Sequence, residues 1–419
     1  MPDEYDFETL AVHAGESADP ATGALRLPVH MSTSFKLPKF GKKLFDALMM
    51  DSARPPFVYT RWGNPTLRAL EERLSALEGA ESALVTASGM AAVSALVLTF
   101  LSSGDHLIAS EVCYAGAVEL FGLHLPRFGI EVSLVDTTDL QQVRAALRPN
   151  TRLIYAETPA NPILCISDIA ALAGIAGEAG ALLAIDSTFA GPALQTPLAL
   201  GADFVIHSLT KYANGHGDAV GGAILGREKE ITRIRKDMLV HLGGVLSPFN
   251  AWLITRGLVT LPVRIMQHNQ NALQVARFLE SHPKVGRVFY PGLENHPHHA
   301  LAKTQMSGFG GMIAFQLKNG LGAAITLAEK IRLFSYATSL GHAHSLLFYY
   351  PTDLYIDAMP FYSDEQKRRL REWTGEGIVR ASIGLENAQD LIRDLDQALR
   401  ARSFKGWVGP TAYQLMKEL

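Results

Sequence analysis

The sequence predicts an α/β protein: a mostly parallel sheet with crossover helices, plus a smaller α/β domain at the C-terminal end. Three observations carry this. From about residue 60 to 250, short apolar runs alternate with stretches of helical period. A long helical stretch near 247–282 separates that region from a second set of strands. The chain has 419 residues of which 48% are hydrophobic, enough to bury a large core and a second, smaller one.

Taken in order, residues 1–60 are irregular and rich in Pro, Gly and Ser, and "LPVHMSTSFKLPKFG" reads as an extended arm that reaches over a neighbour. Residues 61–260 hold the alternation. "SALVTAS" is followed by "GMAAVSALVLTFL", "HLIAS" by "AGAVELFGLHL", "EVSLVD" by "DLQQVRAAL", and "RLIYAE" by "DIAALAGIAGEAG"; "ALLAIDST" and "DFVIHS" complete the set. Such runs, apolar at nearly every position, suit strands covered on both faces. Residues 261–419 form the C-terminal domain, with strands in "GGMIAFQL" and "IVRASIG" and a final amphipathic helix in "AQDLIRDLDQALRA".

The formal net charge is -3 and no block of like charges occurs, so neither nucleic acid nor an anionic membrane is an expected partner, and a small molecule is. The longest apolar run, "MAAVSALVLTFL", is well short of the roughly 20 residues that a bilayer span requires. Two cysteines, Cys113 and Cys165, make no disulfide framework, and "MPDEYDFETL" lacks the features of a signal peptide, so the expected location is the cytoplasm.

In open parallel sheets ligands gather beyond the carboxyl ends of the strands. After "SALVTA" come Ser88, Gly89 and Met90 at a helix start, either a phosphate nest or an ordinary capped turn. After "ALLAI" comes Asp186, a helix cap or a carboxylate that needs a cationic partner. After "DFVIH" come Ser208, Thr210 and Lys211, two hydroxyls and an amine. Each alone has an ordinary structural explanation. Together they match a pyridine-ring cofactor with a phosphate tail, which requires a carboxylate for its ring nitrogen, donors for its phosphate and a lysine for its aldehyde.

These residues lie in blocks that resemble one family. "AVHAGE", "VYTRWGNPT", "ASGMAA", "ETPANP", "IDSTF", "HSLTKYANGHGD", "YPGLENHPHH" and "VRASIGLE" occur in order along nearly the whole chain. Together they are similar to the Cys/Met-metabolism, or trans-sulfuration, enzymes dependent on pyridoxal 5'-phosphate (PLP). That family includes methionine and cystathionine γ-lyases, cystathionine γ-synthase and O-acylhomoserine sulfhydrylases. The resemblance implies the PLP-dependent fold type I with a seven-stranded sheet. It also implies that Lys211 holds PLP as a Schiff base and shuttles protons, and that Asp186 pairs with the pyridine nitrogen. Thr188 and Asn161 would flank the ring, and Gly89, Met90, Ser208 and Thr210 would bind the phosphate. Tyr59 and Arg61 would complete the phosphate site of a neighbouring subunit, within a homotetramer built from dimers. Tyr114 would stack on the cofactor and act as general acid, its alternative being a core aromatic. Arg380 would clamp the substrate α-carboxylate, helped by Ser339 and the backbone near Leu340.

The implied reaction is α,γ-elimination on a sulfur amino acid, methionine γ-lyase-like, with cystathionine γ-lyase or a γ-replacement enzyme as alternatives. Two departures bear on the substrate. Tyr114-Ala115-Gly116-Ala117 stands where the family often has Tyr-Gly-Gly-Thr. In "SLGHAHSLLFYYPTDL", His342 and His344 replace the Gly and Glu common after Ser-Leu, which argues for an uncharged or anionic distal group. The following "YPTDLYIDAMPFYSD" is longer and more aromatic than the family stretch. "HPHH" at 296–299 invites a metal reading but matches a family surface loop, and no metal is expected.

Overall fold

The structure, a computed structural model, describes residues 5–50 and 55–401. The parts of the expected arm and C-terminal domain at 1–4, 51–54 and 402–419 lie outside the described residues. The chain divides into two compact units. The first takes the residues up to Ser110, then Ala115–Thr158 and Ser167–Val263; the second takes Glu111–Tyr114, Pro159–Ile166 and the residues from Arg264 onward.

The first unit is built on strands β1 (Ser82–Thr86), β2 (His106–Ser110), β3 (Glu131–Val135), β4 (Thr151–Glu157), β5 (Leu182–Asp186), β6 (Phe204–His207) and β7 (Gly222–Gly226). They form one sheet in the order β1-β7-β6-β5-β4-β2-β3. β7 pairs antiparallel with β1 and β6, and the other pairs are parallel. β7 is the one strand of this sheet that the alternation of runs did not reveal, because "GGAILG" follows "KYANGHGDAV" without an intervening helical period. The sheet is covered by apolar helices, and one core gathers Ile108, Ile154, Leu183 and Ile185 with Leu172 and Ile175. That burial on both faces explains why β1 and β2 read as nearly unbroken apolar runs.

Helix starts follow local chemistry. Asn64 caps Pro65–Glu78, accepting from the Thr66 N–H at 2.9 Å with Pro at the first helical position. Asp168 does the same for Ile169–Ala179 through Ala171 at 2.9 Å. The expected extended arm is in part helical: Phe7–His13 and Lys42–Met49 are helices. The first buries Leu10 and Ala11, so helical burial outweighs the irregular composition there. The stretch 247–282 is two helices, Pro248–Leu258 and Leu261–Ser281. Pro262, at the second position of the latter, cannot continue a preceding helix.

The second unit holds β8 (Val285–Phe289), β9 (Met312–Leu317), β10 (Ser335–Tyr336), β11 (Leu346–Pro351) and β12 (Gly377–Ser382), in the order β10-β11-β12-β9-β8. Only the short β10 pairs parallel. Its core packs Ile313, Phe315, Val379 and Ala381 against the apolar stripe Leu391, Leu395 of the terminal helix Ala388–Arg400.

Arg73 is fully buried in the first unit. It donates to the carbonyls of Ala14 (2.8 Å), Thr255 (3.0 Å) and Val12 (3.2 Å) and pairs with Glu16 at 3.0 Å. Arg73→Met should therefore lower stability by about 3–5 kcal/mol, the usual cost of breaking a buried ion pair, read from denaturant unfolding. Burial also holds His106 and His268 down to about 4 and His296 to about 3. The unfolded chain, with imidazoles near 6.5, then binds more protons than the folded one between about pH 6.5 and 4. Stability should fall as pH drops through that window, and His106→Gln should shrink the fall in a series of thermal midpoints.

Candidate active site

In the first unit the ends of β1, β5 and β6 meet. Asp186 ends β5 with 8% of its surface exposed. Its Oδ1 accepts from the Thr188 N–H at 3.0 Å and its Oδ2 from the Tyr155 hydroxyl at 3.1 Å. Burial pushes the carboxyl up, while the Thr188 and Tyr155 hydrogen bonds and the His207 ring act in the opposite direction. Tyr155 is fully buried in β4, its ring edge-on to Phe121 at 4.9 Å. His207, at the end of β6, bonds Glu78 at 2.8 Å, and both are buried.

Beyond β6 the chain turns. Thr188 Oγ1 accepts from the Ser208 N–H at 2.8 Å, tying the ends of β5 and β6 together. Thr210 Oγ1 both donates to the Gly221 carbonyl and accepts from its N–H, at 3.2 Å each. Lys211 is half-buried in this turn, its N–H donating to the Ser208 carbonyl at 3.2 Å and its carbonyl accepting from Gly215 at 2.8 Å. The turn after β1 opens the helix Gly89–Phe100, with Ser88 as N-cap accepting from Ala91 at 3.1 Å. A side chain on Gly89 would stand 3.0 Å from Ser208 Cβ, so the two turns are in close contact. Ser88, Gly89, Met90, Ser208, Thr210, Lys211, Thr188 and Asp186 thus cluster. Tyr59 and Arg61, also in the first unit, are exposed; Arg61 donates to the Val240 carbonyl and lies over the Tyr59 ring at 5.5 Å.

A second cluster forms within the second unit. Arg380, 5% exposed in β12, donates to Asn161 Oδ1 at 2.7 Å and to the Ser339 carbonyl at 3.1 Å, with the Tyr350 ring centroid 5.1 Å away. Asn161 and the Ser339 carbonyl are neutral acceptors, and these two contacts orient the guanidinium. Ser339 adopts φ +79°, an unusual conformation for a non-glycine residue, and turns its carbonyl toward Arg380. Leu340 is buried beside it. The loop after it is held by Glu386, whose carboxylate accepts from the Ser345 N–H (2.6 Å) and hydroxyl (2.9 Å). His342 and His344 stand edge to face, 5.4 Å apart. Tyr114, half exposed at 51%, belongs to this unit through the stretch Glu111–Tyr114.

In "HPHH", ring nitrogens of all three histidines meet backbone groups: His296 Nδ1 with the His298 N–H, His298 Nδ1 with the Ile166 N–H, and His299 Nδ1 with the Pro291 carbonyl. Cys113 and Cys165 are free and buried. Sequence reasoning missed Tyr155, Tyr350 and Glu386. Tyr155 and Tyr350 sit in apolar strands, where a hydroxyl reads as core, and no periodicity marks which carboxylate will cap a loop.

A family model described as Cys/Met metabolism PLP-dependent enzyme matches residues 8–400. The chain belongs to that family. It is 44% identical to a canavanine γ-lyase of Pseudomonas canavaninivorans over 93% of this chain and 95% of that protein. It is 42% identical to an L-methionine γ-lyase of Fusobacterium nucleatum over 94% and 98%. Among solved structures, metB from Corynebacterium glutamicum superimposes with a TM-score of 0.86 at 39% identity, covering 95% of this chain and 99% of that one. This Cys/Met metabolism enzyme is therefore PLP-dependent, and its first unit fits the cofactor. A buried carboxylate pushed up by desolvation gains from a cationic N–H partner, which a protonated pyridine nitrogen supplies. The turn at Ser88–Met90 offers backbone donors at a helix start for an anionic phosphate.

A side chain on Gly222 would lie 2.2 Å from the Ser88 carbonyl and 2.7 Å from Thr86 Oγ1. Gly222→Ala should displace the Ser88–Met90 turn and weaken PLP binding at least about tenfold, the equivalent of roughly 1.4 kcal/mol, in titrations of cofactor-free protein.

Proposed function

We propose that the protein catalyses α,γ-elimination on a sulfur amino acid, methionine γ-lyase-like, releasing 2-oxobutanoate, ammonia and a thiol. The observation that carries a free amino acid as substrate is Arg380: a buried guanidinium, aligned by neutral groups, suits bidentate capture of an α-carboxylate. Elimination at the γ-carbon is supported by the similarity to γ-lyases over nearly the whole chain.

Bound PLP supplies an electron sink for negative charge developing beside the substrate α-carbon. Asp186 would hold the pyridine nitrogen protonated, Thr188 and Asn161 would flank the ring, and Gly89, Met90, Ser208 and Thr210 would bind the phosphate. Lys211 would hold the cofactor by its aldehyde until substrate takes its place. Its amine then removes the α-proton and helps move a β-proton. Arg380, with Ser339 and Leu340, fixes the α-carboxylate so that the α-proton is presented in one orientation. The Tyr114 hydroxyl donates a proton to the departing γ-atom. Tyr59 and Arg61 would serve the phosphate of a neighbouring subunit, in a homotetramer of dimers. The two free cysteines suit a reducing cytoplasm.

The γ-replacement reading shares all of these residues and differs in whether a thiol or sulfide adds before release. One assay separates them: PLP-loaded protein is given L-methionine, L-homocysteine, L-cystathionine, L-canavanine, or O-acetylhomoserine with sulfide. We expect 2-oxobutanoate from methionine or homocysteine. New thioether or homocysteine without oxoacid would make it a replacement enzyme, and exclusive turnover of canavanine would move the substrate from sulfur to a γ-oxygen leaving group. Lys211→Ala should lose the visible absorbance of covalently held cofactor and at least about a thousandfold of kcat.

A further inference from the structure

We propose that the segment 350–369 positions the short stretch carrying Tyr114, with Tyr355, Tyr362 and Arg369 as positioning residues for proton delivery to the departing γ-group. The inference rests on the general-acid reading of Tyr114 above. Glu111–Tyr114 is grouped with the second unit although the residues on both sides of it in the chain belong to the first. Its attachments there are specific. Arg369 makes a bidentate pair with the Glu111 carboxylate, Nε to Oε1 at 2.9 Å and Nη2 to Oε2 at 2.6 Å. Glu111 is 5% exposed and Arg369 partly buried, so this is a charge-assisted, bidentate pair with fixed geometry.

The Tyr362 hydroxyl donates to the Glu111 carbonyl and the Tyr355 hydroxyl to the Cys113 carbonyl at 3.4 Å. Burial holds the Tyr362 phenol far above its usual range, so it remains a donor at any working pH. The donors themselves are rigidly mounted. Tyr355 lies in the helix Thr352–Asp357 and Arg369 in Asp364–Thr374, whose start is closed by a capping box of Ser363 and Gln366. The two helices are bridged by Arg371 and Asp353 at 3.1 Å.

The Tyr114 side chain, by contrast, is half exposed. The backbone of 111–114 sets the point from which that ring extends, so its anchoring contributes to where the hydroxyl lies. Two carbonyls and one carboxylate of that four-residue stretch are held by the segment 350–369. Tyr350, at the start of the same segment, lies against Arg380. One piece of chain therefore reaches both the proposed acid and the proposed carboxylate clamp. A misplacement of about 1 Å at a reacting group can cost up to 10²-fold, so small changes in this anchoring should be visible in rate.

The test uses Tyr355→Phe, which keeps the ring and removes one donor, and the double variant Arg369→Gln with Glu111→Gln, which leaves no unpaired charge. Both are loaded with PLP and compared with wild type and Tyr114→Phe. Two readouts are taken: kcat and KM on methionine and on O-acetylhomoserine, and hydrogen exchange of amides 111–118. Methionine's thiolate needs a proton to leave, whereas acetate does not. We expect kcat on methionine to fall about tenfold, KM and O-acetylhomoserine turnover to stay within about twofold, and exchange to quicken at 111–118 alone. Equal losses on both substrates, or unchanged exchange at 111–118, would overturn the positioning role. If Tyr114→Phe itself loses equally on both substrates, the general-acid reading fails, and this proposal with it. If only the 350–369 variants lack the leaving-group dependence, the acid assignment stands and the positioning role alone is lost.

Discussion

Burying the Asp186 carboxylate at the end of β5 is the constraint around which the first unit is arranged. An ionised carboxylate is costly to bury unless hydrogen bonds and a cation meet it. The chain supplies Tyr155 from the neighbouring strand and the Thr188 N–H from the turn beyond. Thr188 in turn accepts from Ser208, which holds the Lys211 turn beside the same strand end. The His207 ring at the end of the adjacent strand acts in the same direction as these hydrogen bonds.

The antiparallel β7 has a role that its weak sequence signal concealed. It returns between β1 and β6, and Gly222 lets its backbone approach the Ser88 carbonyl at the helix start. Because β1 and β6 both pair with β7, the turns after them lie close enough for Gly89 to pack on Ser208. That strand is what brings the Ser88–Met90 turn beside Ser208.

In the second unit, the arrangement around Arg380 depends on loops more than on strands. Ser339 turns its carbonyl through a left-handed backbone, Asn161 arrives on an excursion from the first unit's chain, and Glu386 stabilises the histidine loop. The aromatic segment from 350 onward, singled out in the sequence only as long and unusual, supplies contacts to Arg380 and to 111–114.

Local order was legible in the residues themselves. Apolar runs marked β1, β2 and β4–β6, and the rule that loaded residues collect at strand ends picked out Asp186, Lys211 and the Ser88–Met90 turn, which lie together in the first unit. The helix start read at Ser88 is the N-cap of Gly89–Phe100. The long-range partners were not legible: Tyr155 on Asp186 is 31 positions distant, Asn161 on Arg380 is 219, and Tyr362 on Glu111 is 251. A sequence states which residues are apolar, charged or able to cap, because those are properties of the residue and its neighbours. Which hydroxyl meets which carboxylate is decided by strand order and loop path, and only the tertiary structure contains those.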